Sequence, residues 1–226
     1  MKKLLISIVT LSFVISLPLT SVVASSKEGN NKNTKKEINL ETKNIKEVED
    51  YIGLSYDSVK DKVQTRHNIE NKKELKDFKN YQLGFLKENK DEREGNVTLT
   101  FARPISVEEF NKIARKNSFL VLDYETKHIT STGEWITGFL QKLDENEVSA
   151  LNEEIKHNIN DSDTKYEGIT SARVSMKLNG NKYDKLSKDE LIYLADITDY
   201  LVKKENNNYD LKVMVPDIYW EIDNIK

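Results

Sequence analysis

The sequence predicts an α+β fold with a mostly antiparallel sheet and helices on one face. Residues 97–101 alternate apolar and polar side chains, which is the pattern of a half-buried strand. Ser106 and Glu109 then have the spacing of a capping box, and an apolar stripe begins at Phe110, as in an amphipathic helix. Because strands and amphipathic helices follow one another along most of the chain, we expect them to share one core.

The remaining elements follow from the same two periodicities. Helices are expected at 71–78, from Asp144 to Ile159, and behind a second capping box formed by Ser187 and Glu190. Further strands are expected at 81–85, 119–124, 135–140, 169–178, 211–215 and 218–222.

The order of these elements predicts a particular kind of sheet. Between residues 97 and 178 the order is βαββαβ, which is that of a ferredoxin-like core. The elements after residue 178 then add a helix and strand at the C-terminal end. Pro216 lies between the last two strands, where it is expected to form a bulge or an edge.

The N-terminus has the layout of a secretory signal peptide. Lys2 and Lys3 precede an apolar run over residues 4–23, and small residues end at Ala24 before the chain becomes polar. We expect cleavage after Ala24 and a secreted protein, either extracellular or associated with the cell surface. The alternative is a protein anchored in the membrane by an uncleaved N-terminal helix, because the run approaches the length that spans a bilayer.

The mature chain is expected to contain three regions after the signal peptide at 1–24. Residues 25–36 lack large apolar side chains and predict a disordered linker. Residues 37–80 have sparse apolar positions at helical spacing and predict a helical N-terminal arm. Residues 81–226 then form the α+β domain.

Composition limits the host and the partners. The chain has no cysteine, which in an exported protein suggests a Gram-positive bacterium. Removal of residues 1–24, which include two lysines, changes the formal net charge from −3 to −5. This balance argues against a nucleic-acid partner, because phosphate binding requires a concentrated basic surface. No membrane contact is expected after signal cleavage.

The sequence contains no motif that indicates a reaction. The three histidines, His67, His128 and His157, are far apart, and the zinc-protease motif is absent. Glycine-rich nucleotide-binding motifs and a nucleophile elbow are also absent. We therefore expect a non-enzymatic protein with no catalytic residue, no metal site and no cofactor.

Aromatic residues provide the remaining functional signal. Trp135 lies in a predicted strand, and Tyr219 and Trp220 lie in the last predicted strand. The two tryptophans are consistent with core positions, since tryptophan is highly buried on average. The functional hypothesis is that Trp135, Tyr219 and Trp220 bind a ligand in a peptide or glycan groove.

Three functions are compatible with these observations. The first is a secreted non-enzymatic protein that binds an extracellular protein or a cell-wall polymer. The second is a protease-inhibitor or chaperone-like module that offers a sheet edge to its partner. The third is a secreted hydrolase that uses carboxylates around Trp220, with Asp217, Tyr219, Glu221 and Asp223 as its candidate residues.

Overall fold

The computed structural model describes residues 51–57, 62–89, 93–141 and 145–225. The predicted signal peptide, the predicted linker and residues 37–50 of the predicted arm lie outside the described residues. In chain order the elements are β1 (Ile52–Asp57), β2 (Lys62–His67), α1 (Lys72–Glu88), β3 (Glu94–Ile105), α2 (Val107–Asn117), β4 (Leu120–Ile129), β5 (Trp135–Leu140), α3 (Glu145–Ile159), β6 (Lys165–Lys177), α4 (Gly180–Ser187), β7 (Ile192–Asp196), α5 (Thr198–Glu205), β8 (Lys212–Met214) and a 3₁₀ helix (Tyr219–Asn224).

The strands form two sheets. The larger sheet has the order β5-β4-β6-β3-β7, and each neighbouring pair in it is antiparallel. The smaller sheet has the order β1-β2-β8, with an antiparallel β1–β2 pair and a parallel β2–β8 pair. The predicted α+β class with mostly antiparallel pairing is therefore confirmed.

The ferredoxin-like part of the fold prediction is not confirmed. The elements from β3 to β6 do follow the βαββαβ order along the chain. In the sheet, however, the second and fourth strands of this unit, β4 and β6, are its central pair. A ferredoxin-like sheet instead has the first and third strands in the middle. Strand order depends on long-range pairing, which local periodicity does not encode.

The unit around the first capping box agrees with its prediction. The Glu109 amide donates a hydrogen bond to Ser106 Oγ over 3.1 Å, and the Ser106 amide donates to the Glu109 carboxylate over 2.9 Å. Helix α2 therefore begins at the expected position. The strands predicted at 97–101, 119–124, 135–140, 169–178 and 211–215 correspond to β3, β4, β5, β6 and β8, respectively.

The predicted strand at 81–85 is wrong, because these residues lie within helix α1. Asn71 caps this helix by accepting a hydrogen bond from the Glu74 amide over 2.9 Å. Phe78, Gln82 and Phe85 are buried at spacings of four and three residues. The buried glutamine hid this helical periodicity, and the boundary predicted between residues 80 and 81 falls inside the helix.

The helical interpretation of the N-terminal arm is also wrong over its described strands. Residues 52–57 and 62–67 pair as β1 and β2, with Ile52 opposite His67. Ile52 and Val63 are fully buried. The third strand of this sheet, β8, comes from the far end of the chain, so the partner that stabilises the pair is not visible locally.

The C-terminal third contains two further corrections. Ser187 is the last residue of α4 rather than a helix cap, and its hydroxyl donates to the Asp184 carbonyl. The first residues expected in the following helix instead form β7, which is buried along most of its length, whereas Leu201 and Val202 do lie in a helix, α5. The strand expected at 218–222 is replaced by the 3₁₀ helix, because Asp217 accepts a hydrogen bond from the Tyr219 amide and turns the chain.

One face of the larger sheet carries the apolar core. Phe110 of α2 packs against Phe101 of β3 and Tyr124 of β4, with ring centroids 6.0 and 6.3 Å apart. Leu151 of α3 packs beside Ile136 of β5, and position 136 pairs with His128 of β4. Alternation along β4 places Tyr124 and His128 on the same face, so α2 and α3 both cover it.

A buried polar contact joins the two sheets. His67 Nε2 of β2 lies 2.8 Å from Asp196 Oδ2 at the end of β7. The second oxygen of Asp196 accepts hydrogen bonds from the Thr198 amide and hydroxyl at the start of α5. Because all three residues are buried, the contact fixes β2 beside the β7–α5 turn.

Candidate functional site

The opposite face of the larger sheet is polar. Alternation along the three central strands brings hydroxyl and charged side chains to this face. They are Thr98 and Thr100 on β3, Asp123 and Glu125 on β4, and Ser171 and Arg173 on β6. Register places Arg173 opposite both Thr98 and Asp123, so these side chains are direct cross-strand neighbours.

A segment near the C-terminus crosses this polar face. We call residues 215–220 the C-terminal strap. Thr98 Oγ1 donates to the Val215 carbonyl over 3.4 Å, and the Ile218 amide donates to Thr100 Oγ1 over 3.2 Å. Ile218 is fully buried. The two threonines of β3 thus hold the strap against the sheet.

The strap and the smaller sheet enclose a cleft over the polar face. The cleft has a volume of about 420 Å³. We call it the inter-sheet cleft; it is lined by Lys62, Gln64 and Thr65 of β2, by Thr98, Asp123, Tyr124, Glu125, Phe139, Ser171, Ala172 and Arg173 of the larger sheet, and by Met214, Val215, Pro216 and Asp217. Phe139 and Met214 are half exposed, so the cleft combines a polar floor with apolar side chains at the surface.

Two carboxyl groups meet in the inter-sheet cleft. Burial, together with the nearby charge of Asp217 and a hydrogen bond to that residue, raises the pKa of Glu125 to about 8. Asp123 adds a smaller repulsion that raises the pKa further. Glu125 is therefore protonated at neutral pH, because a carboxylate in a partly dry site beside a second acid is disfavoured.

The neighbouring acid is neutralised by an ion pair. Arg173 donates a hydrogen bond to Asp123 within the same cleft. Arg173 also acts electrostatically on Asp199 of α5, whose pKa is raised by burial and lowered in part by Lys203 and Arg173. The floor of the cleft therefore presents the protonated carboxyl group of Glu125 beside an internally compensated ion pair.

The three aromatic residues predicted to bind a ligand come together in the structure. The indole rings of Trp135 and Trp220 stack 3.6 Å apart with an angle of 7° between their planes. Tyr219 meets Trp220 edge-on, with centroids 4.8 Å apart. The Lys127 ammonium lies 5.6 Å from the centroid of a Trp220 ring. Trp135 and Trp220 thus cover one face of each other, and their stack fastens the strap to β5.

Sequence reasoning missed Glu125, which is the most perturbed group in the cleft. Its only local signal was the polar alternation of Asp123, Glu125 and Lys127, which continues beyond the strand predicted at 119–124. Of the carboxylates considered for hydrolysis, Asp217 does reach the cleft, whereas Glu221 is exposed. The side chain of Asp223 lies outside the described residues.

The histidines occupy separate structural positions. His67 pairs with Asp196, while His128 contacts Thr126 and Asn152 over 3.0 Å each. Burial lowers the pKa of His128, which therefore stays neutral at pH 7. Within the described residues, no group of three or more His, Asp and Glu side chains is placed to hold a metal ion.

Comparison with known proteins assigns neither a family nor a function to this chain. Neither protein-family models, nor curated proteins, nor solved structures give a match to this chain. None of the helices in the described ranges is both long and apolar enough to cross a membrane.

Proposed function

We propose that this chain is a secreted, non-enzymatic protein of a Gram-positive bacterium that binds an extracellular protein or a cell-wall polymer in the inter-sheet cleft. The signal-peptide pattern at 1–24 supports the secreted location. The observation that carries the binding role is the cleft itself, where a hydrogen-bonding floor meets exposed apolar side chains. Concave sites of this mixed character are the usual form of a ligand pocket.

The side chains at the surface of the cleft favour a binding role. Phe139 is 46 % exposed and Met214 is 50 % exposed, yet both lie beside polar and charged neighbours. Large apolar side chains that flank a concave polar surface can be covered by a partner on binding. Thr98, Ser171 and the Glu125–Asp217 pair then offer hydrogen bonds to polar groups of that partner.

Affinity capture tests this proposal. The mature protein, beginning at Ser25, would be cross-linked to washed cells and to culture medium of its host, and the captured material would be identified by mass spectrometry. We expect one enriched extracellular protein or one enriched wall polymer. Cross-linked peptides should contain Lys62, because its amine lies at the cleft.

A matched pair of variants locates the binding surface. Phe139→Ala combined with Met214→Ala should reduce capture at least tenfold. Leu120→Ala is the control, since Leu120 is 68 % exposed but does not line the cleft. Equal capture by the wild type and the Phe139/Met214 variant would refute binding at the cleft. A robust hydrolytic activity of the pure mature protein would refute the non-enzymatic assignment.

A secreted hydrolase is the second candidate, and the Glu125–Asp217 pair is the observation that favours it. A carboxyl group with a pKa of about 8, such as that of Glu125, can donate a proton at neutral pH. Two adjacent carboxyl groups that share one proton act on peptide bonds in aspartic proteases. The pair lies in an accessible cleft, which such chemistry requires.

Removal of one carboxyl group tests whether the protein is a hydrolase rather than a non-enzymatic binding protein. Wall polymers and denatured protein would be incubated with the wild type, Glu125→Gln and Asp217→Asn. If the protein is a hydrolase, both amide variants should lose at least a hundredfold in rate, while Glu145→Gln on the exposed surface of α3 retains full activity. Absence of activity in the wild type would eliminate this candidate.

A protease-inhibitor or chaperone-like role is supported by one feature of the sheet. Strand β5 pairs with β4 alone among the described strands, so it is an edge of the larger sheet. An edge strand can add a partner strand through its backbone. This role predicts inhibition of an extracellular protease at stoichiometric protein, and unchanged protease kinetics at excess protein would exclude inhibition.

A further inference from the structure

Strand β5 is an edge of the larger sheet that lacks the usual protection against pairing. Its six residues pair with β4 in a regular register, without a bulge, and none of them is charged or proline. Edge strands of natural proteins are generally protected by charges, proline, bulges, short length or a covering segment. In the described part of the chain, the backbone of residues 135–140 makes no hydrogen bond beyond the β4–β5 ladder.

Other edges of the two sheets are protected. Strand β7, at the opposite edge of the larger sheet, is buried along most of its length. Its Ala195 carbonyl accepts a hydrogen bond from the Tyr183 hydroxyl of α4 over 3.0 Å. Strand β8, at an edge of the smaller sheet, has only three residues and carries the exposed Lys212. This contrast indicates that β5 is suited to pairing with a further strand.

The outward backbone groups of β5 belong to alternate residues. At the start of the ladder the Thr130 amide donates a hydrogen bond to the Glu134 carbonyl. Antiparallel alternation then directs the N–H and C=O groups of Trp135, Thr137 and Phe139 away from β4. The side chains of these three residues share one face of the sheet, which is the face on which Phe139 lines the inter-sheet cleft.

We propose that a second copy of this chain pairs with the edge, antiparallel and strand β5 to strand β5, about a two-fold axis at Thr137. Closed two-fold symmetry is the commonest arrangement of homo-oligomers. In this register each Trp135 lies opposite the partner's Phe139, and the two Thr137 residues lie opposite each other. Aromatic pairs and threonine pairs are favourable cross-strand neighbours. Like charges are not opposed, because Glu134 falls opposite the partner's Leu140.

Helix α3 leaves room for this pairing. Asn152 of α3 contacts His128 of β4 over 3.0 Å, and Leu151 packs beside Ile136 of β5, so the helix lies over both strands. Strands are about 4.8 Å apart, and a helix centred between β4 and β5 therefore lies about 5 Å from the two-fold axis. The two α3 helices of the dimer are then about 10 Å apart, which is a normal distance for packed helices.

Pairing brings the aromatic stack of one copy to the cleft of the other. Within one chain, Trp135 and Phe139 are about 13 Å apart along β5. In the dimer, the partner's Trp135, which carries the stacked Trp220, lies beside Phe139 at the cleft. The aromatic residues predicted to bind a ligand thus join the inter-sheet cleft through the second copy. This consequence rests on the proposed binding function, whereas the dimer itself does not.

Analytical ultracentrifugation of the mature chain tests the dimer without any ligand. We expect the wild type to sediment as a dimer and Thr137→Lys as a monomer, because two lysines face each other across the axis. Thr137→Pro should also be monomeric, since it removes an outward N–H and leaves the bonds to β4 intact. Leu120→Lys is the control and should stay dimeric, because Leu120 is 68 % exposed but lies outside the β4–β5 ladder.

Far-UV circular dichroism confirms that these variants are folded. A wild type that is monomeric up to about 100 µM would overturn the proposal. A dimer that persists in both Thr137 variants, or one that is lost in Leu120→Lys instead, would also overturn it.

A single cysteine tests the register. The chain has no cysteine of its own. Thr137→Cys places two thiols opposite each other in a hydrogen-bonded pair, where Cα atoms about 5.5 Å apart are within reach of a disulfide. Glu134→Cys is the control, because the two copies of residue 134 are about 20 Å apart in this register. Mild oxidation should link Thr137→Cys at least tenfold faster than Glu134→Cys, and equal rates would contradict the register.

The contribution of the dimer to binding is measured separately. Affinity capture from washed cells and culture medium would be repeated with Thr137→Lys, and we expect at least a tenfold decrease. Equal capture by this monomeric variant would refute the role of the partner's Trp135 at the cleft. If the wild type is a dimer but captures nothing, the binding proposal fails and the dimer stands. A monomeric wild type that loses capture in Thr137→Lys would assign the edge to a strand of another protein and refute the second copy.

Discussion

The two faces of the larger sheet differ in how they are covered. On one face, Phe101 and Tyr124 pack against Phe110 of α2, and all three side chains are fully buried. On the other face, Thr98 and Thr100 meet the strap through individual hydrogen bonds. The first face excludes water by close packing, whereas the second retains a cleft of about 420 Å³.

The apolar face therefore holds the residues that stabilise the fold. The polar face holds the residues that are available to bind a ligand. Close-packed apolar contacts are numerous, and removal of one large side chain leaves a cavity. The contacts of the polar face are few, and the carboxyl pair among them depends on pH. The polar face can therefore change its shape at a smaller cost in free energy than the apolar face.

The largest expected effect comes from the apolar face. Phe110→Ala should lower the free energy of unfolding by about 3–5 kcal/mol, since it removes a fully buried ring that contacts two strands. Phe139→Ala, on the cleft side, should cost about 1 kcal/mol or less. Urea denaturation of both variants measures the contrast, and equal losses would remove the distinction between the faces.

The next largest expected effect is the pH dependence that Glu125 gives to the free energy of unfolding. Its pKa in the folded protein is about 8, above the ordinary 4.5, so between these values the folded protein holds a proton that the unfolded chain releases. Stability should therefore fall as pH rises through this interval, by up to about 1.4 kcal/mol per pH unit. Above pH 8 the contribution becomes constant.

The Glu125→Gln variant isolates this contribution. Other titrating groups are shared by the two proteins, so their effects cancel in the difference of the free energies of unfolding. The variant should gain stability relative to the wild type between pH 6 and pH 8, when both are measured by urea denaturation. A difference that does not vary with pH would show that Glu125 is ionised in the folded protein.

A smaller effect is expected at Gly138 of β5, with Gly84 of α1 as its control. Gly138 faces α3, where an added methyl group would lie 2.6 Å from Thr126 Oγ1 and 2.7 Å from a Leu151 methyl. Gly138→Ala should therefore cost about 1–3 kcal/mol through overpacking. Gly84→Ala in α1 is the control: nothing lies within 4 Å of the new methyl group, and helix propensity should raise stability by about 0.5–1 kcal/mol. Thermal unfolding distinguishes the opposite signs.

Much of the larger sheet could be predicted from the sequence. Strands β3 to β6 and helix α2 have strong local signals, in particular the alternation at 97–101 and the reciprocal capping box of Ser106 and Glu109. The same local rules failed where burial is set by distant partners. In β2 the inward positions alternate with exposed ones, but they are Val63, Thr65 and His67, of which only Val63 is apolar. Strand β7 is buried along most of its length, so it shows no two-residue alternation that periodicity could detect.

The candidate site was predicted only in part, for the same reason. Trp135, Tyr219 and Trp220 were selected by residue type, and the structure brings them together through an indole stack and a perpendicular ring contact. Their role in ligand binding stays a prediction. Glu125 was missed, because its pKa is raised by burial and by the nearby Asp217, and both arise only after β8 and the strap have folded onto the sheet.

We propose above all that the polar face of the larger sheet, rather than the face covered by α2 and α3, is the surface that binds the partner. A hydrogen-exchange footprint of the protein bound to its captured partner tests this claim most directly. We expect slower amide exchange in the cleft segments, residues 62–65, 137–140 and 213–218, and unchanged exchange in α2. Protection confined to α2, or to the region around Leu120, would contradict the account.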